Sequence, residues 1–188
     1  MKILGIDIGG SGIKGALVDT ETGEMLTERF RIPTPTSRKP REMALIVAEI
    51  VKHFNYNGPI GCGFPAVVKN GICKGHGNLS KKWLGINAEE LLSKTTGLSV
   101  TVINDADAAG FAEIKYGAGK SKKGLVIMIT IGTGLGSGVF LDGQLLPNFE
   151  LGQIPYKKYK KIEQWASSYA KEANNLSYKN GANVLINS

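Results

Sequence analysis

The stretch LGIDIGGSGIKGALVD, residues 4–19, decides how the chain is read. An apolar run ends in a single carboxylate, Asp7, and passes through Gly9, Gly10, Ser11 and Gly12 into a second apolar run that carries Lys14. A tight hairpin would ask for glycine at only one or two positions, where positive φ excludes other residues. Three glycines around a serine exceed that need. Small residues at this density leave backbone N–H groups bare, in the concave arrangement that receives phosphate oxygens. The grammar returns at residues 125–146, where LVIMITI leads into GTGLGSG and a further apolar run. There Gly132, Gly134, Gly136 and Gly138 bracket Thr133 and Ser137. Either loop alone is an ordinary feature of β proteins, but two on similar strand pairs point to two jaws of one anion site.

Working outward, residues 3–8 read as a buried central strand, and Ile13–Val18 and Glu24–Ile32 as its partners in an antiparallel meander. The proline-rich IPTPTSRKP then ends strand pairing, because proline cannot donate to a ladder. Met43, Ile46, Val47, Ile50, Val51 and Phe54 fall on one face of a helix. Residues 60–64 form a short strand stopped by Pro65. Asn87 with Glu90 opens a helix over 88–94 that Gly97 closes. A β-branched strand, 99–103, delivers Asn104 and Asp105 to the start of a helix over 106–116. After Lys120, Lys122 and Lys123 come strands at 125–131, 139–141 and 144–146, the last two joined by Asp142-Gly143, and a helix over 162–174. NGANVLINS, residues 180–188, supplies at most one short strand.

The chain has 188 residues, 42% of them apolar, enough for one sizeable domain or two lobes. No run reaches the length of about 20 apolar residues that a membrane helix needs, and nothing at residue 1 resembles a signal peptide. A cytoplasmic protein is the expectation. Cys62 and Cys73 lack zinc or redox spacing and read as reduced structural thiols. The net charge of +7 is uneven, with lysines at 120–123 and at 157, 158, 160 and 161. Such runs are either solvated faces or an attractive field for an anionic ligand. No nucleic-acid module accompanies them, so nucleic acid is not expected as a partner.

A carboxylate beside phosphates repels them unless a cation intervenes, so Asp7 reads as a Mg²⁺ ligand. Lys14 adds charge there, or is simply an exposed strand residue. Asp105, at a strand end before a helix, is placed to act as a general base or to cap the helix.

These pieces together resemble the ROK sugar kinases of the actin-like ATPase superfamily, and within them the polyphosphate-using glucokinases. The matching segments are GIDIGGSGIKGALVD (5–19), GFPAVV (63–68), GNLSKKWLG (77–85), NDADAAGFAE (104–113), TIGTGLGSGVFLDG (130–143) and LPNFELG (146–152), in family order. The wording DIGGSGIKGA, the NDADAAG run and the lack of the zinc-binding cysteine cluster of other ROK kinases favour the polyphosphate branch. The resemblance implies an α/β, actin-like ATPase (ribonuclease H-like) fold with a complete N-terminal lobe, 1–120, and an incomplete C-terminal lobe, 121–188. It implies sugar and phosphoryl donor in a cleft between lobes, Asp105 as catalytic base, and Asn78, Asn104 and Glu150 as sugar-hydroxyl ligands. Gln153 joins them where the family pattern Glu-x-Gly-His carries histidine; it can bond a hydroxyl but cannot carry a proton. Gly9, Gly10, Ser11, Lys14, Gly132, Thr133 and Gly134 match the donor-phosphate loops, with Mg²⁺ near Asp7 and polyphosphate or ATP as donor. A homodimer is a candidate assembly. Family members continue past the last matched segment, so the second lobe is expected to expose apolar surface. The expected function is phosphorylation of the 6-hydroxyl of glucose; the alternative is a truncated relative that binds sugar or phosphate with little turnover. A ROK repressor would need an N-terminal DNA-binding extension ahead of the first strand, and that reading is set aside.

Overall fold

The structure, a computed structural model, describes residues 1–132 and 134–177. Thr133 and the strand expected within 180–188 lie outside the described residues. The chain divides into two compact units, Met1–Ala108 and Ala109–Ser188.

In the first unit, β1 (Lys2–Ile8), β2 (Gly12–Asp19) and β3 (Phe30–Pro33) form the expected antiparallel meander. β4 (Ile60–Phe64) and β7 (Val100–Asn104) add to the other edge in parallel, giving the order β3-β2-β1-β4-β7. β1 is therefore central, and Leu4, Ile6 and Ile8 are buried along it. The strand expected over 24–32 is shorter: only Phe30–Pro33 pairs along β2, and Met25 makes a lone bridge to Val18. Between them the Thr27 hydroxyl accepts from the Leu17 N–H at 3.0 Å, a side-chain bond where a ladder bond would stand.

α1 (Pro40–His53) buries Met43, Val47, Ile50 and Val51 on the face its spacing specified. It lies so close to β2 that a Cβ at Gly15 would stand 2.5 Å from Ile50, which is why that strand position carries no side chain. α2 (Ala88–Thr96) begins at Asn87, whose side chain accepts from the Glu90 N–H, and ends at Gly97 with φ 73°. The Glu90 carboxylate pairs forward with Lys94 at 2.6 Å. A small hairpin, β5 (Val68–Lys69) and β6 (Ile72–Cys73), is absent from the sequence reading. Its Asn70-Gly71 turn, with φ of 52° and 73°, was the signal that could have found it.

α3 (Asp105–Tyr116) follows β7 without a loop. The division of units falls inside this helix, after Ala108.

The second unit holds β8 (Leu125–Ile131), β9 (Leu135–Leu141) and β10 (Gln144–Leu146), an antiparallel sheet in the order β10-β9-β8. Asp142 and Gly143, at φ 50° and 81°, turn β9 into β10 as expected. Gly110 admits the buried Phe140 against α3, and Phe111 meets that ring edge-on at 5.5 Å. Along β8, Leu125, Ile127, Ile129 and Ile131 form one face that is 43–61% exposed. The helix expected over 162–174 is broken into a 3-10 turn, Ile162–Gln164, and α4 (Ser168–Ala173). Ser167 starts the second piece by accepting from the Ala170 N–H, while the Ser168 N–H is spent on the Gly132 carbonyl at 2.9 Å.

Candidate active site

Three parallel strands end on one edge of the first sheet, the edge at which open α/β sheets bind ligands. Asp7 on β1 is in register with Gly63 on β4, and Gly63 with Ile103 on β7. A Cβ at Gly63 would lie 3.8 Å from the Asp105 Cβ, so this glycine keeps open the space beside Asp105. Asp7 and Asp105 are close enough for the charge of one to act on the other.

Asn104 decides what Asp105 is free to do. The Asn104 side-chain oxygen accepts from the N–H groups of Ala106 (2.9 Å) and Asp107 (3.1 Å), and its amide donates to the Ala66 carbonyl at 3.4 Å. Asn104 is thus the helix cap, one residue earlier than the capping alternative weighed for Asp105. Asp105 stands at the first helical position with an exposed residue surface, its Oδ1 accepting from the Ala106 N–H at 2.8 Å. Its carboxyl is nevertheless crowded by surrounding atoms. Loss of water raises its pKa above the usual carboxylate value, against the lowering effect of the Ala106 hydrogen bond, and the Asp7 charge raises it further.

The first glycine loop is a tight hairpin, closed by the Gly9 N–H on the Gly12 carbonyl at 3.0 Å. Yet none of Gly9, Gly10 or Gly12 has positive φ, so the turn does not need glycine for its angles. The loop's carbonyls are drawn off to one side: Gly9 accepts from the Thr34 hydroxyl (2.6 Å) and Ser11 from the Arg31 guanidinium (2.7 Å). Among the described residues the N–H groups of Gly10 and Ser11 have no protein acceptor. Lys14 Nζ donates to Asp7 Oδ2 at 3.1 Å across the β1–β2 pair.

Asn78 comes to the same loop, its Cβ 3.5 Å from where a Gly10 side chain would begin. The segment that carries it is anchored by Arg38, which donates to the Asn78 carbonyl at 2.9 Å. The Arg38 carbonyl in turn accepts from the indole of Trp83, a fully buried ring packed edge-on against Phe64 at 4.8 Å. Gly77, at φ 49°, is pressed on the Pro65 carbonyl so closely that no Cβ could be placed there. The first unit therefore gathers Asp7, Gly9, Gly10, Ser11, Lys14, Asn78, Asn104 and Asp105.

In the second unit, Gly132 and Gly134 lie in the β8–β9 turn, and Glu150 precedes a 3-10 turn, Leu151–Gln153, whose last residue is Gln153. That turn sits on the start of β9 through Gly152, which abuts the Leu135 carbonyl. Ser137 secures it: its hydroxyl donates to the Phe149 carbonyl and accepts from the Leu151 N–H at 3.0 Å. The Gln153 amide donates to Glu163 at 3.0 Å. The sequence reading missed Glu163, whose other oxygen would stand 2.6 Å from a Cβ at Gly134 and so lies against the glycine loop. Only its distance in sequence concealed it.

Among the described residues no three His, Cys, Asp or Glu side chains cluster as a metal cage. Mg²⁺ does not require one, since it commonly binds one or two carboxylates together with water and substrate phosphates. The half-exposed Asp7 carboxylate suits that mode. Cys62 and Cys73 are buried free thiols, and burial pushes Cys73 up to about 11 and Cys62 higher still, as inert structural cysteines require. No helix among the described residues is long and apolar enough to cross a membrane.

A meander extended by parallel strands, with a helix that starts directly at the end of β7, defines a mixed α/β scaffold of the actin-like ATPase type. The chain belongs to the ROK family, whose model matches residues 3–148. It is 43% identical over 183 residues to the polyphosphate glucokinase of Mycobacterium tuberculosis, covering 97% of this chain and 69% of that protein. To the polyphosphate glucokinase of Mycobacterium leprae it is 41% identical, covering 95% of this chain and 55% of the relative. The crystal structure of an inorganic polyphosphate/ATP-glucomannokinase from Arthrobacter sp. strain KM superposes with a TM-score of 0.92 at 42% identity, over 98% of this chain and 75% of that one. A ROK family glucokinase from Streptomyces griseus, solved with glucose and AMPPNP, gives 0.79 at 27% identity, over 97% and 64%. The chain is thus shorter than each of these relatives.

Proposed function

We propose that the chain is a sugar kinase that moves a phosphoryl group from polyphosphate, or from ATP, to the 6-hydroxyl of glucose. The observation that carries this reading is Asp105: a carboxylate of raised pKa, released from capping by Asn104 and within reach of the charge of Asp7, whose strand leads into the unspent amides of Gly10 and Ser11. The relatives' activities support the choice of donor and sugar.

In the reaction, Asp105 accepts the proton of the 6-hydroxyl as that oxygen attacks the terminal phosphorus of the donor. The bond from phosphorus to the bridging oxygen breaks, and the leaving group departs as polyphosphate one unit shorter, or as ADP. The Gly10 and Ser11 N–H groups and Lys14 bind phosphate oxygens; Gly132, Thr133 and Gly134 are assigned the same task in the second unit. Asp7 would hold Mg²⁺, which when bound neutralises charge developing on the phosphates. Asn78, Asn104, Glu150 and Gln153 bind and orient sugar hydroxyls, with Asn104 also fixing the base. The protein is assigned to the cytoplasm, with sugar and phosphoryl donor as its partners, a homodimer as its assembly, and neither nucleic acid nor membrane as a partner.

A second reading, binding of sugar or phosphate without turnover, draws on the exposed β8 face. Purified protein with Mg²⁺, glucose and either donor separates the two. Glucose 6-phosphate formation that Asp105→Asn lowers by at least about a hundredfold supports the kinase. Calorimetric glucose binding with no product from either donor supports the second reading.

A further inference from the structure

Gly12 has no conformational need to be glycine: its φ is not positive, and it lies within β2. What excludes a side chain there is Arg31. A Cβ at Gly12 would collide with Arg31 Nε and stand 2.7 Å from both Cζ and Nη2, so the guanidinium lies across the bare backbone of this one residue. From that seat Arg31 Nη2 donates to the Ser11 carbonyl at 2.7 Å. An arginine kept only to balance charge is expected on a carboxylate. The ladder offers one, since Asp7, Lys14 and Arg31 are opposed in a row across β1, β2 and β3 and so share a face of the sheet. Asp7 is taken by Lys14, and among the described residues Arg31 pairs with no carboxylate.

The carbonyl that Arg31 holds decides which way the loop faces. Glycine leaves the backbone free, so nothing in Gly9, Gly10 or Gly12 themselves fixes the peptides around Ser11. Two residues on the β3 side do so. The Thr34 hydroxyl holds the Gly9 carbonyl at 2.6 Å, and because a trans peptide sets its N–H opposite its C=O, the Gly10 N–H points away from Thr34. The Ser11 carbonyl accepts from Arg31 and, at 3.4 Å, from the Thr34 N–H. The Ser11 N–H belongs to the peptide between these two pinned ones, so its direction is set from both sides.

We infer that Arg31 is a positioning residue for the phosphoryl donor: seated on Gly12, it holds the Ser11 carbonyl back so that the Gly10 and Ser11 N–H groups face the donor phosphates before these arrive. The inference rests on the proposed kinase reading of this loop. Hydrogen-bond donors fixed in advance need no reorganisation when charge develops against them, and that is the source of their effect. Arg31 acts through the loop and not on the sugar, so its loss is felt in the use of the donor and not in glucose affinity.

The test uses the full chain with Arg31→Met, Arg31→Lys and Gly12→Ala. Arg31→Met removes the bond to Ser11, Arg31→Lys keeps a group that can make it, and Gly12→Ala keeps the charge while pushing the guanidinium off its seat. Arg31→Met and Gly12→Ala should each raise the KM for polyphosphate and for ATP by about tenfold, the scale of one lost hydrogen bond from a charged group. Calorimetric glucose affinity should stay at the wild-type value, Arg31→Lys should recover most of the loss, and Gly12→Ala should add nothing in an Arg31→Met background. The Arg31→Met deficit should persist at high salt, where a charge acting at a distance is screened, and this comparison decides the matter even where Gly12→Ala fails to fold. A wild-type donor KM in Arg31→Met overturns the inference, as does a deficit that vanishes with salt or one shared equally by glucose. Amide resonances of Gly10 and Ser11, titrated with inorganic tripolyphosphate, separate this inference from the reading beneath it. If wild type makes no glucose 6-phosphate yet these amides bind tripolyphosphate, about tenfold more weakly in Arg31→Met, the kinase reading falls and the role of Arg31 stands. Turnover with equal donor KM in wild type and Arg31→Met gives the reverse, and wild type with neither turnover nor amide shifts overturns both.

Discussion

Lys14 Nζ meets Asp7 Oδ2 at 3.1 Å across a directly opposed pair of β1 and β2, next to the carboxylate assigned as base. Both side chains are substantially exposed, so the pair contributes at most about 1 kcal/mol to stability. Its importance is electrostatic. Asp105 must be ionised to accept a proton, and its pKa is raised first by loss of water and then by the charge of Asp7. Activity should therefore fall as pH drops, with an acid limb that lies higher than that of an ordinary aspartate. Asp7→Asn removes the second cause, so the acid limb of the kcat/KM profile should move to lower pH, whatever happens to the plateau. A limb that stays in place would show that Asp105 does not sense Asp7. The sign for folding runs the other way: a carboxyl whose pKa is raised by folding costs stability at neutral pH and relieves that cost as it protonates.

Asn104→Ala removes the cap from α3 and the bond to the Ala66 carbonyl. The expected loss is about 1–2 kcal/mol in urea unfolding. Asn104→Asp, which keeps a capping oxygen, should recover most of that stability but not sugar affinity. Equal loss in both variants would place the effect elsewhere.

Gly77→Ala asks a residue at φ 49° to carry a Cβ against the Pro65 carbonyl. The segment must shift, at a cost of about 1–3 kcal/mol. Because Asn78 follows immediately, glucose binding should weaken more than thermal stability does. The measurement is calorimetric glucose affinity beside the melting temperature, and an unchanged affinity would remove Asn78 from the sugar site.

Glu163 puts a carboxylate against Gly134, in a loop assigned to phosphates. Glu163→Gln should therefore lower the KM for polyphosphate by a few-fold at low ionic strength, with the difference fading as salt screens the charge. The hydrogen bond with Gln153 can persist in the variant, so a raised KM would assign Glu163 a supporting role instead.

The elements with strong local signals were legible from the residues alone. α1 declared itself through its buried face, α2 through Asn87 and Gly97, and the β9–β10 turn through Asp142-Gly143. The departures arise where a distant group competes with local preference. Thr27 takes a backbone donor of β2, so the expected third strand shortens; the Ser168 N–H is claimed by Gly132, so the last helix breaks at Ser167. The site shows the same division. Asp7, Asn104 and Asp105 were marked by their positions at strand ends, but which of the last two caps α3 depends on side-chain geometry. Glu163 reaches Gly134 from twenty-nine residues away, and no spacing rule encodes such a contact.

The outward row of Leu125, Ile127, Ile129 and Ile131 has a practical consequence for anyone handling the protein. β8 has β9 on one side and no described strand on the other, so its edge can template further pairing between molecules. Solubility should then be governed by concentration before temperature, and light scattering on a dilution series should show particles that grow with protein concentration well below the melting point. Charged replacements at Ile127 and Ile129 would keep such a preparation monodisperse.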